Sequence, residues 1–383
     1  MGSEMKIIIA PDSFKESLSS LEVATQIESG FKEIFPNAEY FKVPIADGGE
    51  GTIEALITAT EGRRVEAFVT GPLGETVKAF YGVLGDGETA VIEMAAASGL
   101  SLVAPAMRNP LVTTSFGTGE LIRYALDSGY RKFIIGIGGS ATNDAGAGML
   151  QALGVNLLDK NGEELGYGGS SIAQLNKIDV SGLDARLNES QIWVACDVNN
   201  PLTGENGASA VFGPQKGATA EMVKTLDDCL VHFAKVAKDT LGVDIAEQPG
   251  AGAAGGMGAS LCGFLRAHLL PGVSIMIEHT GLEQMIKGAD LVITGEGCID
   301  SQSVFGKAPV GVAEIAKCHG VPVIALAGSL GTGASDVRQR GIDAIFSVVN
   351  KPCPLDVALA DAADNVRSTA SNIAALIQIA KQM

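Results

Sequence analysis

Six carboxylates, Asp12, Asp47, Glu50, Asp197, Glu296 and Asp300, stand at or just beyond the ends of short apolar runs of strand type, in company with glycines. A carboxylate so placed can act as a base towards a hydroxyl or as an oxygen ligand for Mg²⁺. Lys15, Lys216 and Lys307 occupy the same glycine-rich junctions and supply the cations that an anionic substrate and developing charge require. The loop Gly138-Gly139-Ser140-Ala141-Thr142-Asn143-Asp144 suits phosphate. Its glycines let backbone amides approach closely, two hydroxyls and an amide add neutral donors, and the start of a following helix would add partial positive charge. Base, metal ligand, cation and phosphate cradle together are the parts of a phosphoryl transfer. Taken singly, Asp12-Ser13-Phe14-Lys15 and Asp197-Val198-Asn199-Asn200-Pro201 read equally well as ordinary turns. No GxxxxGK[ST] is present, so the loop is not a P-loop. The GxGxxG at Gly250, Gly252 and Gly255 follows Glu247-Gln248-Pro249 and not a strand, which removes it as a dinucleotide fingerprint. Its glycines are expected to permit a close helix approach or to line the cleft.

The apolar runs that carry these groups are Lys6–Ala10, Val43–Ala46, Phe133–Gly136, Ile192–Ala195 and Leu291–Ile293. In α/β sheets ligands sit outside the carboxyl ends of strands, so five such ends describe the rim of one site. Ser19-Ser20-Leu21-Glu22 has capping-box spacing and opens a helix with Val23, Ile27, Phe31 and Ile34 on one face. A strand near Tyr40–Ile45 and a helix over Thr52–Ala59 follow. Arg64–Glu93 reads as hairpins, with turns at Gly71-Pro72-Leu73-Gly74 and Gly85-Asp86-Gly87. Helices are expected over Thr118–Leu126, Ala145–Leu153 and Ala220–Asp239. From Asp290 strands (Leu291–Ile293, Val321–Ala327, Ala344–Val349) alternate with helices (Pro309–Lys317 and a long one from Leu355). The expected class is α/β, with two α/β domains. One is a doubly wound parallel sheet built from both termini, residues 1–80 and 288–383; the other is a mixed α/β domain inserted as residues 81–287, with the ligand in the cleft between them.

Against 27 Lys and Arg stand 44 Asp and Glu, a net charge of −17, which opposes nucleic acid or an anionic membrane as partner. The 6 cysteines show no CxxC spacing and the 4 histidines no HxxxH, so neither a disulfide framework nor a histidine zinc site is expected. No charged segment followed by an apolar one precedes the first strand. The longest uncharged stretch, Gln248–Leu265, carries Pro249 and six glycines, poor material for a membrane span. The expectation is a soluble, cytoplasmic protein acting on small molecules, its oligomeric state left open.

The sequence resembles the bacterial type 1 glycerate kinases. The resemblance runs from Met5 onward through Ile9-Ala10-Pro11-Asp12-Ser13-Phe14-Lys15-Glu16-Ser17, Ala46-Asp47-Gly48-Gly49-Glu50-Gly51-Thr52, Glu93-Met94-Ala95-Ala96-Ala97-Ser98-Gly99-Leu100 and Thr113-Thr114-Ser115-Phe116-Gly117-Thr118-Gly119-Glu120. It continues in the Gly138–Asp144 loop, Cys196-Asp197-Val198-Asn199-Asn200-Pro201-Leu202-Thr203-Gly204, Val211-Phe212-Gly213-Pro214-Gln215-Lys216-Gly217, Ile293-Thr294-Gly295-Glu296-Gly297 and Asp300-Ser301-Gln302. It implies a flavodoxin-like terminal domain and ATP-dependent, Mg²⁺-assisted phosphorylation of D-glycerate to 2-phosphoglycerate. Within that reaction Asp197 is the favoured base, Asp47 its competitor, and Lys15 holds the glycerate carboxylate or the γ-phosphate. Gly138, Gly139, Ser140, Thr142, Asn143 and Asp144, with Lys216 and Lys307, are assigned to nucleotide phosphate. Asp12, Ser13, Asn199 and Asn200 go to substrate, and Glu296 with Asp300 to Mg²⁺. Cys298 departs from the pattern, which usually has arginine after Gly-Glu-Gly. The alternatives are a kinase giving 3-phosphoglycerate or acting on another small hydroxy acid, a metal-dependent phosphate-ester hydrolase, and a non-catalytic ligand-binding protein.

Overall fold

The structure is a computed structural model and describes residues 5–46, 51–242, 244–305 and 307–383. Its strands, in chain order, are β1 (Lys6–Ile9), β2 (Glu39–Lys42), β3 (Arg63–Thr70), β4 (Thr76–Val83), β5 (Thr89–Glu93), β6 (Lys132–Gly136), β7 (Asn156–Leu158), β8 (Lys177–Asp179), β9 (Gln191–Ala195), β10 (His268–Leu270), β11 (Leu291–Ile299), β12 (Val323–Leu330) and β13 (Ala344–Ser347). Two units are formed. One takes in Met1–Asp47, Glu54–Glu61 and Pro271–Met383, the other Gly48–Ile53 and Gly62–Leu270.

The first unit is built on a five-stranded parallel sheet of order β13-β12-β11-β1-β2. Strands covered on both faces read as unbroken apolar runs, and Ile7, Ile8 and Ile9 are fully buried. Counted within the unit, the strand order is 2-1-3-4-5, the flavodoxin-like doubly wound arrangement expected. The register Ile8↔Val292 joins β1 to β11 at the topological switch point, where such sheets bind ligands. The helix Ser20–Lys32 opens on the capping box: the Glu22 amide donates to Ser19 Oγ, and the Ser19 amide and hydroxyl both donate to Glu22. This helix packs on the final helix Ala362–Gln382, with Val23, Ile27, Phe31, Val366, Ala370 and Ile373 between them. Gly30 makes the approach possible, since a Cβ there would lie 2.3 Å from the Arg367 carbonyl oxygen.

The second unit holds a six-stranded mixed sheet of order β10-β9-β6-β5-β4-β3 and the two-stranded pair β7-β8. β3, β4 and β5 pair antiparallel, as the turn signals between Arg64 and Glu93 require. This pairing puts β3 and β4 in the second sheet, ahead of the boundary expected at residue 80. β5, β6, β9 and β10 run parallel, with Ile92↔Ile135 and Ile135↔Val194 in register. Since β6 lies between β5 and β9, the loop leaving β6 is flanked by the segments leaving those two strands.

Local expectations need correction. β2 ends at Lys42, so the run Val43–Ala46 follows the strand instead of forming its end. β11 does not end at Ile293 but pairs with β12 through Ile299, so Glu296 is a strand residue whose neighbour in register is Ala327. The helix after the glycine-rich loop covers only Ala147–Ala152, because Ala145 (φ 56°) and Gly146 (φ 71°) turn left-handed first. Among the described residues no helix is long and apolar enough to cross a membrane.

Candidate active site

The glycine-rich loop divides into an exposed half and a buried half. Gly138 and Gly139 are exposed, whereas Thr142, Asn143 and Asp144 are fully buried. Backbone bonds tether the exposed half, Leu100 N–H to Gly139 O (2.8 Å) and Ala141 N–H to Ser98 O (2.9 Å), and the Thr113 hydroxyl donates to Ala141 O (2.8 Å). Lys216, 2% exposed, donates from Nζ to Ser140 Oγ (2.7 Å) and Thr142 O (2.6 Å). Burial pushes its amine down to about 7, while the Asp144 charge draws it back up. Asn143 Nδ2 donates to Ser209 Oγ at 2.9 Å.

Asp144 organises this half of the loop. Its Oδ2 accepts from the Ser115 amide (2.9 Å), the Ser115 hydroxyl (2.7 Å) and the Gly148 amide (3.3 Å), and its Oδ1 accepts from the Gly146 amide (3.1 Å). Burial raises its carboxyl above the ordinary range and these donors pull it back. The helix-start amides expected to face phosphate are thus turned towards a carboxylate of the protein itself. What remains open to a ligand is the Gly138-Gly139 backbone. Three buried polar atoms, Thr142 Oγ1, Asn143 Oδ1 and Arg108 Nε, have no hydrogen-bond partner among the described residues.

At the end of β9, Asp197 and Asn199 are exposed and Asn200 is half-buried. Asn200 donates from Nδ2 to Asn206 O (2.8 Å) and accepts at its carbonyl from the Gly252 amide (3.0 Å), so it holds the turn in shape. Burial pushes the Cys196 thiol up, and the negative charge of Asp197 acts in the same direction. The rejected GxGxxG supports both loops. A Cβ on Gly252 would lie 2.2 Å from Pro201 O and one on Gly255 2.1 Å from Thr142 O, while Gly250 (φ +83°) packs on Cys196 and Val198. Only glycine lets one segment press against the β6 and β9 loops together.

On the first unit the switch point gathers a second set. The Asp12 amide donates to Gly295 O (2.8 Å), and Asp12 Oδ1, on a side chain 7% exposed, accepts from the Ser13 amide (2.6 Å). Glu296, also 7% exposed, accepts from the Ser303 hydroxyl and lies 3.6 Å from Lys307 Nζ. Burial raises the Glu296 carboxyl, with Ser303 and Lys307 opposing and Asp300 adding to the rise. Asp300 Oδ1 accepts from the Gln302 amide (2.8 Å), and its own amide donates to Ser303 Oγ (3.2 Å). Lys15 is exposed and its backbone crosses Gly297, whose Cβ would lie 3.5 Å from the Lys15 nitrogen. Among the described residues no group of three or more His, Cys, Asp or Glu is gathered as a metal site. Glu296 and Asp300 form a pair. That suits Mg²⁺ carried on phosphates, which asks for one or two carboxylates and not a full protein cage. Asp47 and Glu50 lie outside the described residues.

Residues 7–378 match the model of the glycerate kinase family. The chain belongs to the glycerate kinase family. It is 59% identical over 379 residues to a glycerate kinase of Bacillus subtilis (strain 168), covering 99% of each chain. It is 60% identical over 375 residues to glycerate 2-kinase of Escherichia coli (strain K12), covering 98% of each. The crystal structure of a protein from Salmonella typhimurium LT2 assigned to glycerate kinase 2 matches with a TM-score of 0.92 at 57% identity, covering 100% of both chains. In this member of the glycerate kinase family Cys298 is exposed on β11, two residues beyond Glu296, and the cation beside that carboxylate is Lys307.

Several residues that hold these sets were not singled out from sequence. Ser115 and Thr113 belong to a motif that carried the family resemblance, yet hydroxyls without a charged neighbour in sequence gave no sign that they clamp Asp144 and Ala141. Ser303 follows Asp300 at turn spacing, and only the fold shows that it bridges Asp300 to Glu296. Arg108 lies against the Lys216-Gly217 turn, where a Cβ on Gly217 would meet the Arg108 carbonyl oxygen at 2.5 Å.

Proposed function

We propose that this chain transfers the γ-phosphoryl group of ATP to the 2-hydroxyl of D-glycerate, giving 2-phosphoglycerate and ADP. The observation that carries this reading is 60% identity to a glycerate 2-kinase over 98% of both chains, together with the glycine loop after β6 and the carboxylates and lysines near β1 and β11, the kinds of group that phosphoryl transfer uses. Asp197 accepts the hydroxyl proton as the glycerate oxygen attacks phosphorus and the bond to the β-phosphate oxygen breaks; Asp47 is the second candidate for that base. The Gly138-Gly139-Ser140 backbone faces phosphate, and Lys216 acts by fixing that backbone, since its amine is already held by Ser140 and Thr142. Lys15 and Lys307 offset anionic charge on substrate, and Ser13, Asn199 and Asp12 orient glycerate. Glu296 and Asp300 would hold Mg²⁺, which when bound neutralises charge on the phosphates. The described cysteines are free thiols, in keeping with a cytoplasmic enzyme.

Incubation with D-glycerate, ATP and Mg²⁺ should yield ADP and a phosphorus NMR signal coupled to the C2 proton. A signal from the C3 position would move the product to 3-phosphoglycerate, and inorganic phosphate without acceptor would favour the hydrolase. In the same assay Asp197→Asn should fold and lose about 10²-fold or more in kcat. Near-normal turnover would take Asp197 out of the base role.

A further inference from the structure

The segments leaving β5 and β6 enclose a cavity of about 320 Å³, walled by Phe80, Ala95, Ala96, Leu100 and Leu102 and bordered by Gly138 and Gly139. That volume lies at the small end of the roughly 300–1,000 Å³ usual for small-molecule sites. Glycerate is a poor occupant, because its carboxylate and two hydroxyls would lose water against mostly carbon walls with few polar groups to replace it. A flat base with a sugar is a good one. The Phe80 ring offers an aromatic surface and is itself held by the Arg64 guanidinium, 4.5 Å from its centroid. Glu93 and Ser101 supply polar side chains, and Glu93 is fixed in part by the Ile53 amide, which donates to Oε1 at 2.9 Å. Gly139 is left-handed (φ +70°), and a Cβ there would lie 3.4 Å from that of Ala95. The exposed glycine backbone therefore begins where the apolar wall ends.

We propose that this cavity receives the purine nucleoside of the phosphoryl donor, so that its phosphates continue onto the Gly138-Gly139-Ser140 backbone. The proposal rests on the reading of ATP as donor and of that loop as its phosphate site.

Ala96→Phe, which narrows the cavity, is tested in the full-length enzyme with ADP and inorganic tripolyphosphate as inhibitors. ADP carries the base and tripolyphosphate reads the phosphate site alone. The inhibition constant for ADP and the KM for ATP should each rise about tenfold or more, with tripolyphosphate inhibition and the KM for glycerate within about twofold of wild type. A parallel rise for ADP and tripolyphosphate, an unchanged ADP constant, or a rise confined to glycerate would each overturn the proposal. If Ala96→Phe fails to melt cooperatively, Phe80→Ala takes its place and must weaken ADP alone. Direct titration of the wild type with a fluorescent ADP analogue, displaced by ADP and then by tripolyphosphate, reads the cavity independently of glycerate phosphorylation. An enzyme inactive on glycerate but binding ADP far more tightly than tripolyphosphate would sink the proposed function and leave this site standing.

Discussion

A lysine amine at 2% exposure must shed its proton or be held by fixed acceptors, and Lys216 sits between the two, bonded to Ser140 Oγ and Thr142 O with its amine pushed to about 7. In the unfolded chain the same amine titrates near its ordinary 10.5. Between those values the unfolded state binds the extra proton, so the folded state gains on it as pH rises. Below about 7 a buried cation is present in full and the gain is absent. Denaturant melts of wild type and Lys216→Met should therefore diverge with pH. The stability difference, wild type minus variant, should climb by up to about 1.4 kcal/mol per pH unit from neutrality upward. A flat difference would mean that the amine keeps its proton inside the fold. At neutral pH the variant should also raise the KM for ATP, because the Ser140 hydroxyl and the Thr142 carbonyl lose the donor that holds them.

Gly255 and Gly281 separate close approach from backbone conformation at the scale of an element. Both are left-handed, at φ +67°, but a Cβ on Gly255 would lie 2.1 Å from Thr142 O, whereas nothing lies within 4 Å of one on Gly281. Gly281→Ala should cost about 1 kcal/mol, and Gly255→Ala about 3 kcal/mol or more with a lowered kcat/KM for ATP, since the loop itself must move. Equal costs would show that conformation alone governs both sites. The same segment marks the limit of what the sequence could show. The isoleucine run of β1, the capping box at Ser19 and the hairpin turns before Glu93 are local signals, and each is found where expected. That a GxGxxG would brace two loops is a matter of which backbones meet, and spacing carries no record of it. The continuation of β11 through Gly295-Glu296-Gly297 was hidden for a related reason. Glycines ordinarily break strands, and here the second edge supplied by β12 overrides them. Asp144 was legible as a loop carboxylate, but its capture by Ser115 depends on a contact 29 residues away in sequence.

A chain of net charge −17 has to accept two anionic substrates. The long-range field of such a molecule repels ATP, and screening at physiological salt shortens that repulsion to roughly 8 Å without removing it at contact. Local cations are few and partly engaged: Lys307 already faces Glu296, and Lys216 is enclosed. The carboxylates Glu296 and Asp300 would add to the repulsion of a bare nucleotide, and a divalent ion that they would hold would supply the positive charge to offset it. The nucleotide should therefore stabilise the protein chiefly as its magnesium complex. At a hundredfold excess over its dissociation constant, MgATP should add about 2.7 kcal/mol to the state that binds it and raise the first melting midpoint by about a few degrees. The same ATP concentration with EDTA should give a much smaller rise, and Glu296→Gln with Asp300→Asn should bring the two conditions together. Equal shifts with and without the metal in the wild type would remove these carboxylates from the ion and leave Lys15 and Lys307 as the groups that overcome the charge of the whole molecule.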